Sequence, residues 1–100
     1  MTNEPVIMLR WALGEAGLPG ILDQAPQRAV RLRMDSTAAA ALANLLEADP
    51  RTLAADLRTI HRIRVRTIEE TSGAITVVLA DAQGLRLAEL ITSRAANAAS

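Results

Sequence analysis

The sequence predicts a single small α+β domain over residues 1–100, and three observations predict it. The first is the stretch Arg58 to Ala80. In it Ile63 and Val65 alternate with Arg62, Arg64 and Arg66, and Ile75, Val77 and Leu79 alternate with Thr76, Val78 and Ala80. Alternation with period two belongs to half-buried strands. The second is a strand-then-helix pattern beginning at AVRLRM (29–34). The third is a gapless internal repeat. VRLRMDSTAAAALANLL (30–46) overlays ITVVLADAQGLRLAELI (75–91), so that Leu32 meets Val77, Met34 meets Leu79 and Leu42 meets Leu87. Two strand–helix units of this kind lay both helices on one sheet face. The expected architecture is a sheet of three or four strands built on a central β-hairpin (61–69, 74–80) plus a strand near 29–34. Helices (37–48, 50–60, 82–96) cover mainly one face, and an apolar helix or strand occupies 5–16.

Taken in order, Met1 to Asn3 are expected to be disordered. Val6 to Ala16 is apolar on nearly all sides. Its Leu, Met, Ala and Glu favour helix over a strand beginning at Val6, with Asn3 as cap, Pro5 in the first turn and Gly17 at the end. Trp11 is then a core or interface anchor. Gly17-Leu18-Pro19-Gly20 is a turn, and Ile21 to Pro26 reads as irregular or as one helical turn. Gly14, Gly17 and Gly20 recur at threes, but they lack the strand, the helix and the lysine of a phosphate loop, so they read as punctuation.

In AVRLRM, Val30, Leu32 and Met34 face one way and Arg31 and Arg33 the other. Asp35 and Ser36 offer a cap for the helix 37–48, whose buried stripe is Ala38, Leu42, Leu45 and Leu46. Asp49-Pro50 ends that helix and starts another, lined by Leu53, Leu57 and Ile60. The hairpin follows. A three-residue loop (Thr71, Ser72, Gly73) pairs Glu70 with Ala74, Thr67 with Val77 and Val65 with Leu79, gathering the apolar rows on one face. A two-residue loop sets Ile75 and Leu79 beside arginines and is the poorer reading, because a one-residue slip exchanges the faces of a strand. Asp81 caps the last helix, 82–96, with Leu87, Leu90, Ile91 and Arg94 on one face. A third strand at 85–91 is the alternative, and Ala95 to Ser100 are expected to fray.

Composition limits the function classes. Half the residues are apolar, yet many are alanine, and Trp11 is the one aromatic. Each fully buried Leu, Ile or Val contributes roughly 1.5–3 kcal/mol and alanine far less, so the core is thin and a second copy of the chain is expected to complete it. The 11 basic residues are all arginine and balance 11 acidic ones. There is no net pull toward nucleic acid or membrane. The missing Lys, Phe and Tyr all have AT-rich codons, which points to a high-GC bacterial or phage genome. With no cysteine there is no disulfide and no thiolate chemistry. Nothing resembles a secretory leader or reaches transmembrane length, so a cytoplasmic protein is expected.

No catalytic centre or cofactor site is legible. His61 is the sole histidine and has no orienting partner in sequence. Glu69 and Glu70 are strand neighbours and point to opposite faces. Ser36, Ser72 and Ser93 sit in no nucleophile motif, and Asp35, Asp49 and Asp81 read as helix caps. No metal site is expected.

The arginines are the one unusual feature. Arg31, Arg33, Arg62, Arg64 and Arg66 are expected to project from one open sheet face. That face is readable as a solvated surface, as a protein interface in which Ile68 and Val78 add apolar contact, or as a phosphate-binding surface. Residues 29–62 also run strand–helix–helix, an order that resembles the ribbon–helix–helix DNA-binding proteins. The resemblance implies a dimer whose paired strands enter the major groove, with Arg31 and Arg33 reading bases. Asp49-Pro50 stands where that family has a glycine-containing turn, and the following hairpin is foreign to its minimal fold. The sequence therefore favours a non-catalytic interaction or oligomerisation module, a homodimer, with Arg62, Arg64, Arg66, Ile68 and Val78 as the contact residues. A nucleic-acid-binding regulator is the alternative.

Overall fold

The computed structural model describes residues 4–71 and 73–98. The chain runs α1 (Glu4–Ala16), β1 (Ile21–Ala25), β2 (Ala29–Asp35), α2 (Ser36–Leu45), a 3₁₀ turn (Pro50–Thr52), α3 (Leu53–Thr59), β3 (Thr67–Thr71), β4 (Ala74–Ala80) and α4 (Asp81–Ala98). The strands form one antiparallel sheet in the order β1-β2-β4-β3. The α+β class, the hairpin-based sheet and the helical reading of 5–16 and 82–96 are all as predicted. The Asn3 cap, the fate of Met1 to Asn3, and Ser72, Ala99 and Ser100 lie outside the described residues. Among the described residues no helix is long and apolar enough to cross a membrane.

The inward faces of β2 and β4 follow from their alternation. Val30, Leu32 and Met34 of β2 are buried, and they stand opposite Leu79, Val77 and Ile75 of β4. The helices lie over this face. Leu9, Ala12 and Leu13 of α1, Ala38, Ala39 and Leu42 of α2, and Leu87, Ala88 and Ile91 of α4 complete the core. Local signals set the helix ends. The Asp35 carboxylate accepts the Ala38 N–H at 2.7 Å, and the Asp49 carboxylate accepts the Arg51 N–H at 2.9 Å. Each side chain thereby satisfies an otherwise unpaired first-turn donor.

Five sequence expectations change. First, Ile21–Ala25 is a strand, not irregular chain. It pairs with β2 around the turn Pro26-Gln27-Arg28, where Gln27 and Arg28 take φ of 63° and 55°. Its own residues do not alternate cleanly, so β2 supplies the order. Second, α2 stops at Leu45, with Glu47 at φ 57°. Third, the helix expected over 50–60 opens as the 3₁₀ turn and is α-helical only over Leu53–Thr59, with Leu53 and Leu57 buried and Ile60 exposed. Fourth, α4 continues through Ala98 where fraying was expected from Ala95.

The fifth change concerns the hairpin. Thr71 pairs with Ala74 and Thr67 with Val78, so the loop is the two-residue Ser72-Gly73. Gly73 has φ 82°, a left-handed conformation that glycine adopts at no steric cost. β3 begins at Thr67 and not at 61. In this register residues before Val65 have no strand opposite them, because β4 ends at Ala80 and Asp81 begins a helix. Their donors go elsewhere: Ile63 N–H to the Leu57 carbonyl, and Arg64 N–H to Gln83 Oε1. The alternation survives in two pieces. Ile63 and Val65 pack inward before a bend at Arg66, and the phase then slips by one, so that Ile68 falls on the helix side opposite Val77.

The internal repeat extends further than its sequence. The shift that takes β2 onto β4 (Ala29 to Ala74) and α2 onto α4 (Ser36 to Asp81) also takes Pro5 to Pro50, and Gly17 (φ 69°) to Arg62 (φ 57°). Each half is helix, hairpin, helix. Leu32 and Val77, equivalent in the repeat, pair with one another, so a local two-fold axis passes between them and generates the observed strand order.

Candidate functional site

The structure separates the predicted arginine face into two surfaces. The first is the open face of the sheet, a shallow concavity of about 480 Å³. Two rungs cross it. One reads Asp23, Arg31, Val78, Thr67, and the other reads Ile21, Arg33, Thr76, Glu69. The Arg31 guanidinium lies 3.9 Å from the Asp23 carboxylate, with both side chains largely solvated, a pair worth at most about 1 kcal/mol. Both arginines come from the inner strand β2, and the two acids come from the edge strands.

The second surface holds Arg62, Arg64 and Arg66, which are not on a strand. They project from the segment between α3 and β3 into a groove of about 490 Å³ shared with Ala80, Gln83 and Arg86. An extended segment points alternate side chains the same way, so burial of Ile63 and packing of Val65 force the three arginines outward. Arg86 Nη1 donates to the Arg62 carbonyl at 3.2 Å, and Arg66 Nη1 donates to the Gln27 carbonyl at 3.2 Å. Gln83 uses its Oε1 to accept from Arg64 N–H at 2.9 Å. Among the described residues none of the four arginines forms a salt bridge.

The predicted contact set therefore does not come together. Arg62, Arg64 and Arg66 share the groove. Val78 sits on the open face beside Arg31, and Ile68 lies on the other face of edge strand β3. Arg86 escaped the sequence reading. Its membership follows from the first turns of α4 folding back beside residues 62–66, which no local pattern announces. The ribbon implied by the strand–helix–helix resemblance is not formed, because both edges of β2 are occupied within the chain, by β1 and β4.

The residues weighed for chemistry have other roles. His61 Nε2 donates to the Leu46 carbonyl at 2.9 Å, tying the segment after α3 to the end of α2. Glu69 lines the open face, and Glu70 lies on the other side of the strand. Among the described residues no three His, Asp or Glu side chains gather as a metal site. Asp81, expected as the cap of the last helix, is instead the first residue of α4, and its Oδ1 is buried with no hydrogen-bond partner.

Trp11, considered for the core, lies 65% exposed on the outer side of α1, with its Nε1 donating to Glu15 at 3.0 Å and with Ile7 one turn before it. Comparison with protein-family models, with curated proteins and with solved structures finds no match to this chain.

Proposed function

We propose that the protein is a non-catalytic interaction module that self-associates through the open face of its sheet. The observation that carries this reading is the arrangement of charge on that face. Arg31 and Arg33 sit on inner strand β2, while Asp23 and Glu69 sit on edge strands, in equal number. A two-fold interface must be complementary to itself. An axis running along the strands between β1 and β2 brings Asp23 of each copy against Arg31 of the other. Ile21, on β1, supplies apolar contact among these polar groups.

The size of the face sets the strength. Four strands by five residues span about 19 by 17 Å, small beside the roughly 800 Å² per partner of a standard stable interface. The dimer is therefore weak and dependent on concentration. Light scattering over a protein concentration series tests it. Wild type is expected to rise toward twice the monomer mass, less so at high salt. Arg31→Glu/Arg33→Glu is expected to remain a folded monomer. A wild type that stays monomeric throughout, or a variant that follows the same curve, defeats the reading. Trp11 lies on the helical layer, so its fluorescence should not change on association. A shift would move the interface to α1.

A further inference from the structure

We infer that the groove of Arg62, Arg64, Arg66 and Arg86 is a binding site for the phosphodiester backbone of double-stranded nucleic acid, used without regard to sequence. It is separate from the open sheet face, and its argument does not depend on self-association.

The chain carries its own control. The repeat offset takes Arg62 to Gly17, Arg64 to Pro19, Arg86 to Ala41 and Gln83 to Ala38; the strand pairing matches Thr67 to Ile21, so Arg66 falls at Gly20. The first half closes the same helix-to-strand connection with Gly17-Leu18-Pro19-Gly20-Ile21. Leu18 packs on the core where Ile63 does, and its N–H bonds the Leu13 carbonyl much as Ile63 N–H bonds that of Leu57. The connection thus forms without charge. The fold requires none of the four arginines, and the Arg62 position is one where glycine suits the backbone better.

The groove's chemistry selects the ligand. Four guanidinium groups and the Gln83 amide face it, and Gln83 has its oxygen engaged by Arg64 N–H, leaving its NH₂ to donate. All these groups offer donors to an acceptor-rich anion. Among the described residues of the lining Ala80 alone is apolar, whereas a protein partner gripped by arginines also needs apolar or aromatic anchors beside them to exclude water. Backbone contacts to nucleic acid need only cations and donors. Single strands are gripped by stacking on aromatic side chains, and this lining has none. A duplex keeps its bases stacked inside and presents phosphates outward, so the duplex is the fitting form.

Fluorescence anisotropy with a labelled mixed-sequence DNA duplex tests the site. With four phosphates neutralised, the slope of log K against log salt is about −3.6, and affinity falls about a hundredfold from about 50 to about 200 mM salt. Arg64→Ala/Arg66→Ala is expected to bind at least tenfold more weakly at low salt and to lose about half the slope. Arg10→Ala/Arg51→Ala, at exposed arginines outside both the groove and the open sheet face, should leave both unchanged. Arg62→Gly, which the backbone accommodates, guards against misfolding as the cause and should also weaken binding. The inference falls if wild type does not bind at low salt, if Arg64→Ala/Arg66→Ala keeps affinity and slope, or if the Arg10→Ala/Arg51→Ala variant loses as much. It falls equally if the single strand binds as tightly as the duplex, or if polyglutamate of equal charge competes as well.

Discussion

Arg62 holds a left-handed backbone at φ 57°, whereas the equivalent position in the first half is Gly17. For a residue with a Cβ that conformation costs roughly 1–2 kcal/mol. Glycine removes the strain but adds freedom to the unfolded chain. Arg62→Gly is thus expected to gain about 0.5 kcal/mol in urea unfolding while weakening duplex binding, and a loss of stability would count against the repeat equivalence. The Asp35 cap was legible because a cap is a local device, decided within three residues. Arg86 was not legible, because the three arginines it joins in the groove are distant in sequence, Arg62 being 24 residues away.

At the scale of elements, helix α4 meets the sheet at Gly84. A Cβ there falls 2.9 Å from Val30 Cγ2 and 3.5 Å from Leu9 Cδ1. Val30 is fully buried and β-branched, so it yields little. Gly84→Ala gains about 1 kcal/mol of helix propensity against roughly 1–3 kcal/mol of overpacking, and a net loss of stability is expected. Gly84→Leu should lose much more. Combining Gly84→Ala with Val30→Ala should cost less than the sum of the two, and strict additivity would place the strain elsewhere. The hairpin carries the same lesson about contact between elements. Its alternation correctly sent Ile63 and Val65 inward, but its length was overread. A strand exists only where another lies beside it, and β4 ends where α4 begins.

The whole molecule is two similar halves that share one core. The central strand pair, β2 with β4, takes one strand from each, and α1 packs against α4 across the same divide. A half of about fifty residues is near the lower bound for independent folding, and here each would expose its inner strand edge. Residues 1–48 and 49–100 made separately should lack cooperative thermal transitions by circular dichroism, and mixing them should restore helical signal. A cooperative melt in either fragment alone would show that the halves are independent domains.

The sequence by itself determined what short-range patterns encode. These are the helical and strand character of most segments, the inward faces of β2 and β4, the caps at Asp35 and Asp49, and the two strand–helix units of the repeat. Each depends on spacing within a few residues, which fixes which side chains share a face. Tertiary structure alone decided the rest. It made β1 a strand because β2 offered an edge, set the hairpin register by one residue, and placed Ile68 and Val78 on opposite faces. It also divided the arginines, leaving Arg31 and Arg33 on the sheet and bringing Arg62, Arg64 and Arg66 to Arg86. Pairing and packing between distant segments assign those positions, and such contacts leave no periodic trace in the chain.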